Sequence, residues 1–461
     1  VLDGVGSACT IYLDGVEVGY SQDSKLPAEF DVTELVASRP GAEHTLSVRV
    51  YRWSDGSYLE DQDQWWLSGI QRHCWLYSKP SVLALADWSV RTDITSVSGT
   101  RAKGGDAASV AATVKVDVSL HGAAADAPAN FQVRASLHGP FVVRDLDAAL
   151  PRTAECWSDA CVVEAASAAA QLTSAAEPSP PHHCHEAAGH RLGESAPGAE
   201  DGERLVVNGA RAHFNTAVPS PSLWTAETPS LYSLVLELVD ERGATIDVET
   251  CLVGLRSVTI EAGLLQVNGS PITVFGVNRH EHCPHGGKAV DWPLMLLDAT
   301  MIKQSNFNAV RTAHYPNCDA WYDLCSAVGL YIVDEANLET HGFFCWGDEG
   351  YLAKQPSWRV AMLSRLTRMV RRDKNHPCVI TWSLGNESGY GATHDAMADW
   401  CRRADPSRPV QYESCGGACA TDIICPMYPP VEMVRKEGAS IRAQNRLPNF
   451  GPTRRRPRGC H

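Results

Sequence analysis

Hydrophobic spacing changes character along the chain. Near the start, "ACTIYLDGVEVGY" (8–20) gives two short β-like runs around Asp14-Gly15, a strong hairpin signal. "HTLSVRVYRW" (44–53) alternates like a half-buried strand, and "SDGSYLEDQDQWWLSGI" follows as a polar, aromatic loop. Residues 1–82 therefore read as one β domain. Residues 83–258 read as a second, with "SVAATVKVDVSL" and "YSLVLELV" as its clearest strands. Between those strands, 150–205 is poor in large apolar residues and rich in Ala, Ser, Pro and Gly, which predicts a flexible insertion.

From about 259 the rhythm becomes strand and helix in alternation. Strands are expected near 272–278, 308–313, 330–335, 378–384, 409–412 and 422–425, with helices over "WPLMLLDATMIKQS" and "SWRVAMLSRLTRMVRRD". Such alternation predicts a parallel sheet with crossovers. Polar residues cluster just past the strand ends: His280, His314, Glu335 followed by Glu339 and His341, Asn386 with Glu387, and Met427 with Tyr428. In a (β/α)8 barrel those ends converge on one face, and no Gly-rich phosphate loop supports a doubly wound nucleotide binder. An incomplete (β/α)8 TIM barrel over 259–430 is the expectation, with 431–461 as an irregular basic tail holding six arginines from Ile441 onward.

The totals exclude more than they assign. The 461 residues carry a net charge of −14, which argues against nucleic acid as a partner. No long apolar run suggests a membrane span. Sixteen cysteines without regular spacing read as free thiols in a reducing, cytoplasmic setting. "HHCHEAAGH" (182–190) lacks the paired cysteines of a zinc ribbon.

Glu387 follows a strongly apolar strand and is bracketed by Gly385 and Gly389, a suitable place for an acid–base carboxyl. Glu339 and His341, aimed at the same mouth, could join it in holding a hard divalent cation such as Mg2+. His280 and His314 suit hydrogen bonding to a polar substrate. The Trp-rich loop 53–66 suits either plain core or stacking on a sugar ring.

At these residues the chain resembles the β-galactosidases of glycoside hydrolase family 2. The likeness rests on "GYSQDSKLPAEFD", "RWSDGSYLEDQD", "GVNRHEHCP", "NFNAVRTAHYPN", "LYIVDEANLETHG", "NHPCVITWSLGNESG" and "DPSRPVQYE…TDIICPMY". It covers about 1–95 and 222–428 and is expected to stop near 430. The resemblance implies a multidomain β plus α/β protein: a sugar-binding jelly roll (1–82, partial), an immunoglobulin-like β-sandwich and the barrel. It implies hydrolysis of terminal β-D-galactosides such as lactose, and a homo-oligomer for a complete member. By resemblance Glu387 is the acid/base, and His280 and His314 stabilise the transition state. Glu339, His341 and Glu387 hold Mg2+. Asp63 reaches the galactosyl hydroxyls and a Na+, while Asn386, Met427 and Tyr428 line the pocket. The family's nucleophile stretch, similar to "CEYAHAMGN", is not found here. The expectation is a chain without its second catalytic carboxylate, with a non-catalytic galactoside-binding protein as the alternative.

Overall fold

The computed structural model describes residues 1–80, 83–97, 109–121, 131–143, 161–169, 211–416 and 420–445. In the first domain β1 (Ala8–Leu13) lies between β2 (Val16–Gln22) and β3 (Leu46–Tyr51), antiparallel to both. The β1–β2 turn is the expected one. Asp14 and Gly15 both have positive φ, 52° and 81°, as a two-residue hairpin of this hand requires.

The second domain is a sandwich of two antiparallel sheets. One sheet orders β8 (Arg211–Pro219), β5 (Ser109–His121) and β4 (Ala84–Val97). The other orders β10 (Thr245–Val253), β9 (Leu231–Val239), β6 (Gln132–Phe141) and β7 (Cys161–Ala169). Alternate residues meet in its core: Val114, Val116, Val118 and Leu120 from one sheet, and Val133, Leu137, Leu234 and Leu236 from the other. That period of two is the pattern read from the sequence. Strand β7 lies inside the segment expected to be a flexible insertion. That expectation is corrected there, because the strand completes the sheet beside β6; the rest of 150–205 lies outside the described residues.

The third domain is a fan of five parallel strands in sequence order: β11 (Gly276–Asn278), β12 (Ala309–Arg311), β13 (Tyr331–Glu335), β14 (Val379–Ser383) and β15 (Val410–Gln411). Helices α1 (Trp292–Gln304), α2 (Asp319–Val328), α3 (Arg359–Asp373) and α4 (Ala392–Ala404) make the crossovers. Neighbouring strands pair in unbroken order, as in part of a barrel wall, so the incomplete TIM barrel stands. Asp291 caps α1 through the Leu294 amide at 3.1 Å. Gly329 ends α2 with φ 78°, where a Cβ would lie 2.4 Å from the Ala226 carbonyl oxygen.

Two expectations for this domain change. The strand near 422–425 shrinks to a single parallel bridge, Gln411 to Ile423. The supposedly irregular tail begins with α5 (Val431–Asn445), a run without Pro and with several good helix formers; beyond 445 lies outside the described residues.

Polar contacts fasten the domains together. Trp224 Nε1 donates to the Ser326 carbonyl at 2.9 Å, and Arg256 Nη2 to that of Val379 at 2.7 Å. The first domain grips the barrel through Arg72–Glu281 and Arg365–Glu60, both at 2.6 Å. Its 53–66 loop runs beside the loop after β13: Glu339 N donates to Leu59 O at 2.8 Å, and Asp61 N to Glu339 O at 3.2 Å. That backbone pairing carries Asp61 and Asp63 to the barrel mouth.

Candidate active site

Strand ends supply a connected polar network. The end of β13 buries Glu335 completely. Its carboxylate takes Arg311 Nε at 2.8 Å, His314 Nδ1 at 2.7 Å and Ser383 Oγ at 2.7 Å. Burial alone would raise this carboxyl, but Arg311, His314 and Ser383 outweigh it and hold the group below the usual range. Arg311 also donates through Nη2 to Asn386 Oδ1 at 2.9 Å, and Asn386 Nδ2 to Glu339 Oε2 at 2.9 Å. Asn386 thus transmits the position of β12 to Glu339.

Glu387 sits in a tight loop after β14. Its own φ is 30°, a conformation unusual for a residue with a side chain. Gly385 has φ 138°, and a Cβ there would approach the Leu338 oxygen to 2.7 Å; at Gly389 (φ 55°) it would meet the Gly350 nitrogen at 2.2 Å. The bracketing glycines are therefore required by close backbone approach. The loop turns the Glu387 carboxylate onto His341, Nδ1 to Oε2 at 3.0 Å, and its amide onto Glu413 Oε1 at 2.8 Å.

Glu339, His341 and Glu387 each place a ligand-capable atom within 4.8 Å of the others. Glu339 is buried, and burial first, then the charges of Glu387, Glu335 and Asp63, push it up to about 9 despite the Asn386 hydrogen bond. Burial also raises Glu387, with Glu413 and Asp63 adding to it and His341 and His314 opposing. Two crowded carboxyls with one imidazole and no fixed cation between them form a donor set that fits a divalent ion with oxygen preference.

His280 stands edge-on to His314 with ring centres 5.5 Å apart, and its Nδ1 lies 3.4 Å from the Tyr315 hydroxyl. Burial, then His314 and His282, lowers it to about 4, so it is neutral at physiological pH. His280, His282, His341, Asp63, Trp65 and Phe344 line a cavity of about 710 Å3. Asp63 is exposed on its wall. Five expected site residues (Glu387, Glu339, His341, His314 and Asn386) thus meet in one network, with His280 and Asp63 beside it. Met427 and Tyr428 do not join them: both are exposed past the sixth strand position, Tyr428 at 91%. "HHCHEAAGH" lies outside the described residues.

Sequence reasoning assigned no role to Arg311, Ser383 or Glu413 and left Glu335 as a strand end. Arg311 did leave a signal, a charge inside the apolar run "NAVRTA". Glu413 left a weaker one, its place just past the fifth strand, but that it reaches the Glu387 amide depends on how closely β15 lies against β14.

Strands whose carboxylates gather at one end, joined to a β-sandwich and a small β domain that reaches over that end, define a multidomain (β/α)-barrel protein with its site at the strand C-termini. Comparison with known proteins gives the family. Residues 258–455 match the TIM barrel domain of Glycosyl hydrolases family 2, 1–80 match that family's sugar binding domain, and 168–256 match a further family 2 domain. The chain belongs to glycosyl hydrolases family 2. The barrel match runs to 455, so the expectation that the likeness ends near 430 is corrected.

Among similar proteins, the beta-galactosidase of Vibrio cholerae is 44% identical over 438 residues, 94% of this chain and 36% of that protein. The Pseudoalteromonas haloplanktis beta-galactosidase is 44% identical over 442 residues, 95% and 36%. The chain therefore spans about a third of the length of these curated relatives. In fold it is similar to Bifidobacterium dentium beta-glucuronidase (TM-score 0.65, 22% identity, covering 92% of this chain and 63% of that one). It is also similar to a putative beta-galactosidase from Bacteroides fragilis (TM-score 0.62, 20% identity, 89% and 52%). Among the described residues no helix is long and apolar enough to cross a membrane.

Proposed function

We propose β-galactosidase chemistry: hydrolysis of terminal β-D-galactosides, lactose among them, with retention of configuration. The observation that carries the reading is the convergence of Glu339, His341 and Glu387 at the strand ends, in a family 2 chain 44% identical to beta-galactosidases. Glu387, raised by burial, is suited to hold a proton for the leaving oxygen and to take one from water afterwards. His280, neutral, and His314, fixed by Glu335, are placed to donate to sugar oxygens. Asp63, on the cavity wall, would reach the sugar hydroxyls from the first domain and would be a ligand for Na+; Asn386 steadies Glu339. Glu339, His341 and Glu387 would hold Mg2+, which when bound supplies positive charge beside the acid/base carboxyl.

A retaining glycosidase also needs a nucleophilic carboxylate about 5–5.5 Å from the acid/base. Glu339 is close enough but is buried and tied to Asn386. Glu413 is committed to the Glu387 amide and to Ser414. Each is held through one oxygen, and neither is among the residues that line the cavity. That favours a second reading for these 461 residues alone: galactoside binding without turnover. The test is nitrophenol release from a nitrophenyl β-galactoside. These residues should release none, and a protein extended to the length of its relatives should turn over. Turnover by residues 1–461 near that of such a protein would overturn the assignment of roles; no turnover by the extended protein would overturn the galactosidase reading.

A further inference from the structure

A small hollow lies at the other end of the barrel strands. It opens where the β-sandwich meets the segments that lead into β14 and β15, on the face opposite the gathered carboxylates. Its volume is about 180 Å3. The charged lining is one-sided. Arg91 of β4, Arg256 past the end of β10, Lys374 just past α3 and Arg408 shortly before β15 all line it, against the single carboxylate of Asp93. The chain as a whole carries a net charge of −14, so this gathering of cations is a local feature and does not follow from composition.

Three of these charged groups are balanced. Lys374 Nζ meets Asp87 at 3.0 Å, Arg408 pairs with Asp405, and Asp93 pairs with Lys115. The other two are not. Among the described residues the Arg91 guanidinium donates only to the Ala404 carbonyl, at 3.2 Å, and that of Arg256 only to the carbonyls of Pro377 and Val379. Carbonyl acceptors satisfy these donors without neutralising their charge. Arg256 is moreover only 5% exposed. Its Nη2 and the Nε of Arg408 converge on one acceptor, the Val379 oxygen, each at 2.7 Å. Two guanidinium groups are thus crowded together with a carboxylate for one of them. Burial first, then the charge of Arg408, outweigh Asp405 and pull the Arg256 guanidinium down to about 9. A buried cation without a counter-charge is costly, and an anion in the hollow would relieve it.

We propose that this hollow binds a small tetrahedral oxyanion, either inorganic phosphate or the phosphoryl group of a small phosphomonoester, held by Arg91 and Arg256 with Lys374 and Arg408 adding positive charge. Planar guanidinium forks match the paired oxygens of such an ion, and Ser257 brings a hydroxyl to the same wall. The volume suits one ion of this kind rather than an extended ligand. Arg91 belongs to the sandwich and Arg408 to the barrel, so the ion bridges the two domains and stabilises their docked arrangement by mass action. Nothing in this site depends on the sugar chemistry at the opposite face.

The test is calorimetric titration of the full chain, in a buffer free of oxyanions and at constant ionic strength, with inorganic phosphate, glycerol phosphate and chloride. Phosphate or its ester should bind at one site per chain with a dissociation constant of about 1 mM or tighter, and chloride should not bind there. Whichever of the two binds tighter identifies the source of the ion, and either order supports the site. Arg91→Met removes only one backbone hydrogen bond of the folded chain, and should weaken binding about tenfold or more while the circular dichroism spectrum is unchanged. Arg256→Lys keeps the charge but loses the fork, and should weaken binding as well; if that variant fails to fold, Arg91→Met decides. Arg39→Met, which removes an exposed arginine paired with Asp14 in the first domain, should leave binding as it is. Phosphate should also raise the unfolding temperature of the parent more than that of Arg91→Met. No binding of either phosphate compound, chloride binding of equal strength, or binding that Arg91→Met weakens no more than Arg39→Met does, would overturn the site.

Discussion

His376 occupies the turn that launches β14, the strand that delivers Glu387, and it makes a sharp prediction. Its Nε2 meets Asp319 at 3.1 Å and its Nδ1 meets Asp323 at 3.3 Å. Its ring stacks on Tyr322 at 5.2 Å, its amide donates to the Asp373 carbonyl, and its carbonyl accepts from Arg408. Burial works against the imidazolium, but hydrogen bonds and charge from Asp319 and Asp323 win and raise it from 6.5 to about 10. A raised folded value means stability that is complete below the unfolded value near 6.5 and is lost as pH climbs toward 10. At about 1.4 kcal/mol per unit the ceiling is about 5 kcal/mol, of which about half would disappear between pH 7 and 9. Asp319 is 43% exposed and screened, so the observed loss should fall below that ceiling. The assay is hydrogen exchange of the 379–383 segment, corrected for intrinsic rates, at pH 7, 8 and 9. The parent should lose protection with pH, and His376→Gln should start lower and show a flatter dependence. Parallel slopes in the two proteins would refute the argument.

Other perturbations follow from the same geometry. Gly389→Ala would put a methyl 2.2 Å from the Gly350 nitrogen at φ 55°, so the loop must move. A loss of about 1–3 kcal/mol is expected in urea unfolding, together with a displaced Glu387. Arg311→Met would leave the fully buried Glu335 with only His314 and Ser383. A cost of about 3–5 kcal/mol is expected in the same unfolding experiment, easing at acid pH as Glu335 takes up a proton.

Much of the architecture was legible in the sequence because it depends on local rules. The Asp14-Gly15 turn, the alternating valines of 114–118 and the apolar run of β14 each dictate their own geometry. The strand at 161–169 was hidden because an Ala-rich run has little to bury by itself and gains its hydrogen bonds from β6. The helix at 431–445 was hidden because arginines and prolines dominate the 431–461 stretch as a whole, although 431–445 itself has no proline and its Glu, Lys and Arg residues are compatible with a helix. In the site, residues at strand ends were readable because parallel strands point their ends the same way. The supporting partners, Glu413 on Glu387 and Ser383 on Glu335, come from register between strands far apart in sequence, which spacing does not encode. The exposed rings of the 53–66 loop were readable as candidates; that Tyr58 among them meets Phe343 across a domain boundary, with ring centres 6.4 Å apart, was not.

The central claim is that the strand ends bring Glu339, His341 and Glu387 together as one cation-holding, proton-bearing centre. Calorimetric titration of residues 1–461 with Mg2+ tests it most directly. One ion should bind per chain, and Glu339→Gln and Glu387→Gln should each abolish or strongly weaken that binding while the proteins remain folded. Absence of binding by the parent chain, or binding indifferent to both substitutions, would contradict it.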